Sequence, residues 1–132
     1  MGKEPIIIVG GEPNSVFLEI FFKCLKAYTY KSPLIIIVSK KLLQEQMRRL
    51  DFNFKINEIN QELKDFSKLN NNKINLINVD YDFNKCFDKI TSKSNRYIHE
   101  TFKTALNFIK QNNLSKFING PVSKKYFLKG KT

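Results

Sequence analysis

Two short segments hold residue types that can handle an anion. The first is Asn119-Gly120-Pro121-Val122-Ser123-Lys124, entered from the apolar pair Phe117-Ile118. Gly120 precedes a proline, which biases it to extended backbone and ends a strand. Pro121 has no N–H to give and suits the first position of a helix. The amides after it are unpaired and point outward, a ready seat for an anion. Ser123 adds a hydroxyl and Lys124 a fixed positive charge, suited to a phosphate or carboxylate. Taken alone, these six residues read first as a capped turn with a solvated lysine. The second segment is Gly10-Gly11-Glu12-Pro13-Asn14-Ser15, which places a carboxylate, Glu12, at the end of an apolar run. It lacks the G-x-G-x-x-G of a dinucleotide fingerprint, and no G-K-[ST] follows as in a P-loop. Taken alone it is a connector in which Asn14 or Ser15 caps the next helix.

Other candidates are weaker. Asp80, Asp82 and Asp88 are spaced like loop acids without a calcium-loop pattern. No Ser/His/Asp grouping supports a hydrolase. The single histidine, His99, falls between Ile98 and Glu100 and reads as a solvated helix residue and not a ligand. Cys24 and Cys86 have no metal or redox spacing, which suggests a reducing compartment and no structural disulfide. Cys24 falls in an apolar stripe and reads as a small core residue.

The elements that position these turns alternate between strand and helix. Ile6–Val9 and Leu34–Val38 are continuous apolar runs, the pattern of strands covered on both faces. Between them Phe17, Ile20, Phe21, Cys24, Leu25 and Tyr28 recur as one face of an amphipathic helix over about 15–28. Ser39 is placed to cap a second helix, with Leu42, Leu43, Met47 and Leu50 inside. Phe52–Ile56 alternates with period 2 and predicts a short edge strand. Residues 57–72 are polar and end in Asn70-Asn71-Asn72, predicting a loop with one helical turn. A strand over 74–79 and an irregular stretch, Asp80–Lys89, follow. A long helix spans about Ser94–Asn112, capped by Ser92 or Ser94, with Ile98, Phe102, Ala105, Phe108 and Ile109 on one face. A strand near 116–119 and a helix from Val122 to Leu128 complete the chain. This alternation predicts an α/β fold, with a largely parallel sheet and helices on both faces. Ligands in such sheets bind at the carboxyl ends of strands, where both turns lie.

At 132 residues the chain has the length of one domain, 1–132, with a real core. No apolar run approaches the ~20 residues of a membrane helix, so no membrane partner is expected. Glu12 and Pro13 follow the first apolar run without a cleavage site, which argues against a secretory signal. The net charge of +11 invites a nucleic-acid reading. However, 20 lysines are scattered along the chain and only 3 arginines occur. Arginine is the preferred reader of phosphate and guanine, so nucleic acid is not the expected partner.

Together the two turns resemble those of the 4-hydroxythreonine-4-phosphate dehydrogenase family of pyridoxal phosphate biosynthesis. Those enzymes open with an apolar strand and a Gly-(Asp/Glu)-Pro turn, here Gly11-Glu12-Pro13. Their turn continues in a Gly-Ile-Gly-Pro-Glu-like stretch, of which Ser15-Val16-Phe17-Leu18-Glu19 keeps only the glutamate. Later they carry a long helix, a strand and a Thr-Gly-Pro-Val-x-Lys turn, here Asn119 to Lys124 with asparagine in place of threonine. The order of elements matches along essentially the whole chain. The resemblance implies an isocitrate/isopropylmalate dehydrogenase-like fold, of which this is the N-terminal part. It implies oxidation of a small phosphorylated hydroxy amino acid, 4-phosphohydroxy-L-threonine, by NAD, with a divalent metal ion, followed by decarboxylation. It also implies a cytoplasmic homodimer. Carried onto this chain, Lys124 is a substrate contact, Asn119 and Ser123 are polar lining, and Glu12 is a carboxylate at the neighbouring strand end. The family's Gly-His-Thr-Glu segment and its three metal-holding histidines come later than residue 132, and His99 matches none of them. The expectation is therefore an incomplete part of the enzyme, inactive alone. The alternative is a non-catalytic α/β remnant that keeps the anion-binding turns.

Overall fold

The structure is a computed structural model and describes residues 4–13, 15–81 and 92–120, the side chains of 92–94 excepted. Five strands form one sheet: β1 (Ile6–Val9), β2 (Leu34–Val38), β3 (Ile56–Glu58), β4 (Ile74–Asn78) and β5 (Phe117–Asn119). Their order across the sheet is β3-β4-β2-β1-β5, and every pair is parallel. The continuous apolar runs of β1 and β2 follow from this. Each is central and covered on both faces, so neither shows polar alternation.

Helices α1 (Phe17–Ala27) and α2 (Lys40–Leu50) pack on one face, over Ile8, Ile36, Val38 and Leu76. Helix α3 (Ser92–Asn112) covers the other, where Ala105 and Phe108 meet Ile7, Val9, Ile35 and Ile37. Right-handed crossovers require this division. The chain steps one way from β1 through β2 to β3 at the far edge, and turns back to lay down β4 between β3 and β2. It continues in this reversed direction past β2 and β1 to lay down β5, so the crossover helix α3 lands on the opposite face.

Local chemistry explains most helix ends. Ser39 caps α2 as expected, its Oγ accepting the Leu42 amide at 3.2 Å, a contact typically worth ~1 kcal/mol. Asp51 closes α2 in the left-handed region, at φ 59°, with the Phe52 amide reaching back to the Met47 carbonyl at 2.9 Å. Asn113 closes α3 in the same way at φ 53°, a conformation asparagine and aspartate tolerate better than most residues.

Several expectations are corrected. Helix α1 buries only part of the stripe read from its sequence, with Phe21 buried and Phe17 and Leu25 packed against the core. Ile20 is 52% and Tyr28 68% exposed, while Leu18, Phe21 and Phe22 are buried. Outside the polar stripe of Glu19, Lys23 and Lys26 the helix is apolar over a wide arc, and Phe22 decides which part of it turns inward. That ring packs against Phe52 and Phe54, at centroid distances of 5.3 and 6.1 Å. Cys24 is accordingly half-buried and outside the core. The edge strand is Ile56–Glu58 and not Phe52–Ile56. The period-2 phenylalanines serve this aromatic contact, and pairing with β4 starts only at Ile56, opposite Ile74. The N-cap of α1 is Val16, which makes no side-chain cap. Ser15 instead accepts the Phe17 amide at 3.3 Å. The helical turn expected within 57–72 is a 3-10 turn at Phe66–Lys68. The Asn14 cap, the Ser92 and Ser94 side chains, Asp82, Cys86, Asp88 and the helix expected at 122–128 lie outside the described residues.

Candidate functional site at the carboxyl ends of β1 and β5

The reversal of the chain makes a topological switch point between β1 and β5, since the connection leaving β1 runs through α1 on one face and the one reaching β5 runs through α3 on the other. In open α/β sheets the ligand crevice lies outside the carboxyl ends at such a point. Both turns singled out in the sequence are there. Residues 10–13 leave β1, and Asn119-Gly120 leaves β5.

The turns touch. The Gly120 amide donates to the Val9 carbonyl at 2.7 Å. A Cβ on Gly120 would lie 2.8 Å from the Gly10 carbonyl carbon and 2.9 Å from Phe17 Cγ. Glycine is therefore required at 120 for close backbone approach. Gly11, at φ 75°, takes the left-handed conformation that lets the first turn fold back. Glu12 is only 6% exposed, so the carboxylate at the end of β1 sits inside the turn and not on its surface. Asn119 is exposed at the end of β5, and its Nδ2 donates to the Gly120 carbonyl at 3.0 Å. Ser123 and Lys124, the other two residues assigned to the site, lie outside the described residues.

Two supporting residues escaped the sequence reading. Gln46, 1% exposed on the inner face of α2, donates from Nε2 to the Pro13 carbonyl at 3.2 Å and braces the first turn from below. Its signal was a polar residue inside the apolar series Leu42, Leu43, Met47. Tyr97, near the start of α3, accepts the Ser39 amide on its hydroxyl at 2.8 Å and packs at a tilt against Tyr81, with ring centroids 4.7 Å apart. Burial pushes the Tyr97 hydroxyl far above the usual phenol range, and the Ser39 amide opposes this only in part. The phenol stays neutral and ties α3 to the carboxyl end of β2.

The rest of the sheet's carboxyl edge is less suited to an anion. A depression of about 310 Å³ beyond β3 and β4 is lined by Glu58, Glu62 and Asn78 among others. Its carboxylates repel phosphate. Lys40 there is paired with Glu58 at 3.0 Å, and its amide is held by Asn78 Oδ1 at 2.8 Å. Among the described residues no three His, Cys, Asp or Glu side chains converge to hold a metal ion, and His99 is half-buried on α3. The start of α1 is also a poor seat for a dinucleotide pyrophosphate, because Glu19 stands in its first turn and opposes an anion. No helix among the described residues is long and apolar enough to cross a membrane.

Comparison with known proteins agrees with this topology. No curated protein matches the chain. The crystal structure of a 4-hydroxythreonine-4-phosphate dehydrogenase from Burkholderia phymatum has a similar fold, with a TM-score of 0.79 and 17% identity. The match covers 96% of this chain and 39% of that one. A 4-hydroxythreonine-4-phosphate dehydrogenase from Klebsiella pneumoniae gives a TM-score of 0.78 and 14% identity, over 98% of this chain and 40% of its own. The chain thus spans about two fifths of the length of these structures. The family profile described as pyridoxal phosphate biosynthetic protein PdxA matches residues 29–132. That match spans most of the chain, and the chain belongs to the PdxA family.

Proposed function

We propose that this chain is the N-terminal portion of a dehydrogenase that oxidises 4-phosphohydroxy-L-threonine with NAD, in the synthesis of pyridoxine 5'-phosphate. The 3-keto acid formed then loses carbon dioxide. The observation that carries this reading is the meeting of the two family turns at the switch point, through Gly120 and Gly10. In this reading the substrate's anionic group sits beyond Gly120-Pro121, near the Lys124 charge, with Asn119 and Ser123 as polar lining. Glu12 supports the first turn from its buried position. A divalent metal would polarise the hydroxyl that is oxidised. The described residues do not fit that ion or the NAD pyrophosphate, so both would be held by the part of the family fold this chain does not span. A cytoplasmic homodimer is part of the same proposal.

The purified chain should yield no NADH with 4-phosphohydroxy-L-threonine, NAD and a divalent metal, measured by absorbance. Fusion to the remaining portion of the Burkholderia phymatum structure should restore it. A well-folded fusion that binds the substrate without turnover would favour the non-catalytic remnant.

In that fusion, Lys124→Ala should weaken substrate binding or turnover roughly 10-fold or more, the equivalent of ~1.5–3 kcal/mol for a charge-assisted hydrogen bond. Lys129→Ala and Lys131→Ala should change little. Steady-state kinetics on the three variants separate a specific contact from a general loss of positive charge. Equal effects from all three, or none from Lys124→Ala, would reduce the turn to a connector.

A further inference from the structure

Lysines scattered along the sequence are gathered in space. All five strands are parallel, so their starts lie at one end of the sheet, opposite the carboxyl-end crevice. Exposed lysines stand immediately before β3, β4 and β5, as Lys55, Lys73 and Lys116, and exposed Lys31 lies three residues ahead of β2. The helices run back against the strands and end at the same edge. Lys26 closes α1, Arg48 and Arg49 close α2, and Lys110 closes α3. Cations at helix ends have a structural role, because they offset the negative pole of the helix. The strand-start lysines have no such role, since a sheet carries little net dipole.

Among the described residues none of Lys31, Lys55, Lys73 and Lys116 is ion-paired. Lys55 and Lys73 stand side by side, because Ile56 is in register with Ile74, and adjacent like charges repel. The acids toward this end do not neutralise the row. Both Glu4 carboxylate oxygens accept from Ser115, Asp65 accepts the Ser67 amide, and Asp51 stands at the close of α2. Glu19, Glu58 and Asp80 belong to the other end, at the start of α1 and beyond β3 and β4. The chain is therefore polarised along its strands, with the amino end basic.

The shape of the row selects the partner. Strands ~4.8 Å apart extend it over about 19 Å, and a twist of ~20–25° per strand winds it through roughly 90°. A planar lipid surface meets only part of such a row, whereas a flexible chain of phosphates can follow it. Lysine contacts phosphate as a point charge, so the scarcity of arginine removes base-specific reading and leaves phosphate binding in place. An aromatic ring lies among the charges. Tyr28, between Lys26 and Lys31 in sequence, is 68% exposed where α1 ends. Cations beside an exposed ring are the parts of a sequence-tolerant single-strand site. We propose that the amino end of the sheet binds single-stranded nucleic acid without sequence preference. Lys31, Lys55, Lys73 and Lys116 contact phosphates, and a base stacks on Tyr28. The surface is at the opposite end from the crevice, so it is independent of the proposed reaction, and its test reads no turnover.

The test titrates the purified chain into a fluorescein-labelled oligouridine of about 12 nucleotides, within the ~4–16 of single-strand sites, and reads anisotropy. Between about 50 and 200 mM salt, log K should fall against log salt with a slope of about −3, the value for four phosphate contacts. Lys31→Ala with Lys73→Ala should weaken binding at least about 10-fold and halve that slope to about −1.5. Lys41→Ala with Lys103→Ala removes the same charge from exposed positions off this face and should change binding less than about 2-fold, because salt screens distant charges. Tyr28→Ala should weaken binding about 10-fold and leave the slope unchanged. All five positions are exposed, so the variants keep the fold. Equal losses from both lysine pairs, or no binding at about 50 mM salt, would overturn the site. A polyglutamate peptide of equal charge that binds as tightly, with Tyr28→Ala without effect, would assign the face to an acidic protein instead. Binding to phosphatidylserine vesicles and not to the oligouridine would assign it to a lipid surface.

Discussion

Replacing Gly120 by alanine should destabilise the folded chain by about 3 kcal/mol, far more than the methyl group's size suggests. The added Cβ would fall 2.8 Å from the Gly10 carbonyl carbon, closer still to its oxygen, and 2.9 Å from Phe17 Cγ. Two of those atoms are backbone at the end of a central strand, which cannot rotate away as a side chain could. Relief would require β5 to retreat from β1, breaking the 2.7 Å bond from the Gly120 amide to the Val9 carbonyl. Gly10→Ala provides the contrast. Its Cβ would meet Val38 Cγ2 at 3.1 Å. That atom belongs to a side chain, which can shift a few tenths of an ångström, so a cost of about 1 kcal/mol is expected. Denaturant unfolding of both variants gives the ranking. If Gly10→Ala costs as much as Gly120→Ala, the contact between the turns is looser than described.

Asn75→Leu should cost about 4 kcal/mol although it keeps the number and branching of side-chain heavy atoms and adds apolar surface. Asn75 is 1% exposed in β4, between β3 and β2. Its Nδ2 donates to the Leu34 carbonyl at 2.9 Å, and its Oδ1 accepts the Asn70 amide at 3.1 Å and Asn57 Nδ2 at 3.0 Å. Leucine would strip partners from three groups, each costing ~1–3 kcal/mol when left buried and unsatisfied. The Asn70 and Asn57 groups lie nearer the surface and recover part of this from water. A fall in melting temperature of roughly 10 °C is expected by circular dichroism. A loss under ~1 kcal/mol would mean that the network contributes little and that the buried asparagine has another role.

The same network shows how the sequence can mislead. Asn70-Asn71-Asn72 reads as loop composition, and it does form a turn. Yet Asn71 Oδ1 accepts the Leu34 amide at 2.9 Å, and its Nδ2 donates to the Ser32 carbonyl at 2.7 Å. The entry to β2 is tied down by a residue nearly 40 positions away. Composition is local, whereas the partner is chosen by strand order.

What the sequence by itself determined is the set of elements and the places where chemistry can occur. Runs such as Leu34–Val38 are too short for a helix and too apolar for an exposed strand, so they must be central and parallel. Gly11 and Gly120 announced tight turns at strand ends, because only glycine fits a left-handed or closely approached backbone. The face of α3 was legible because its apolar residues recur with a single phase. The face of α1 was only partly legible, because its apolar arc is wide and the choice within it fell to Phe52 and Phe54, from a segment that reads as a strand. Above all, only the tertiary structure decided that β5 lies beside β1. The right-handed crossover rule sets the hand of each connection but not the side to which the chain turns. The long return through α3 is compatible with either edge of the sheet. Pairing of Ile7, Ile8 and Val9 with Phe117, Ile118 and Asn119 resolves that choice. It brings together two turns some 110 residues apart, and leaves the apolar edge of β5 outermost among the described strands.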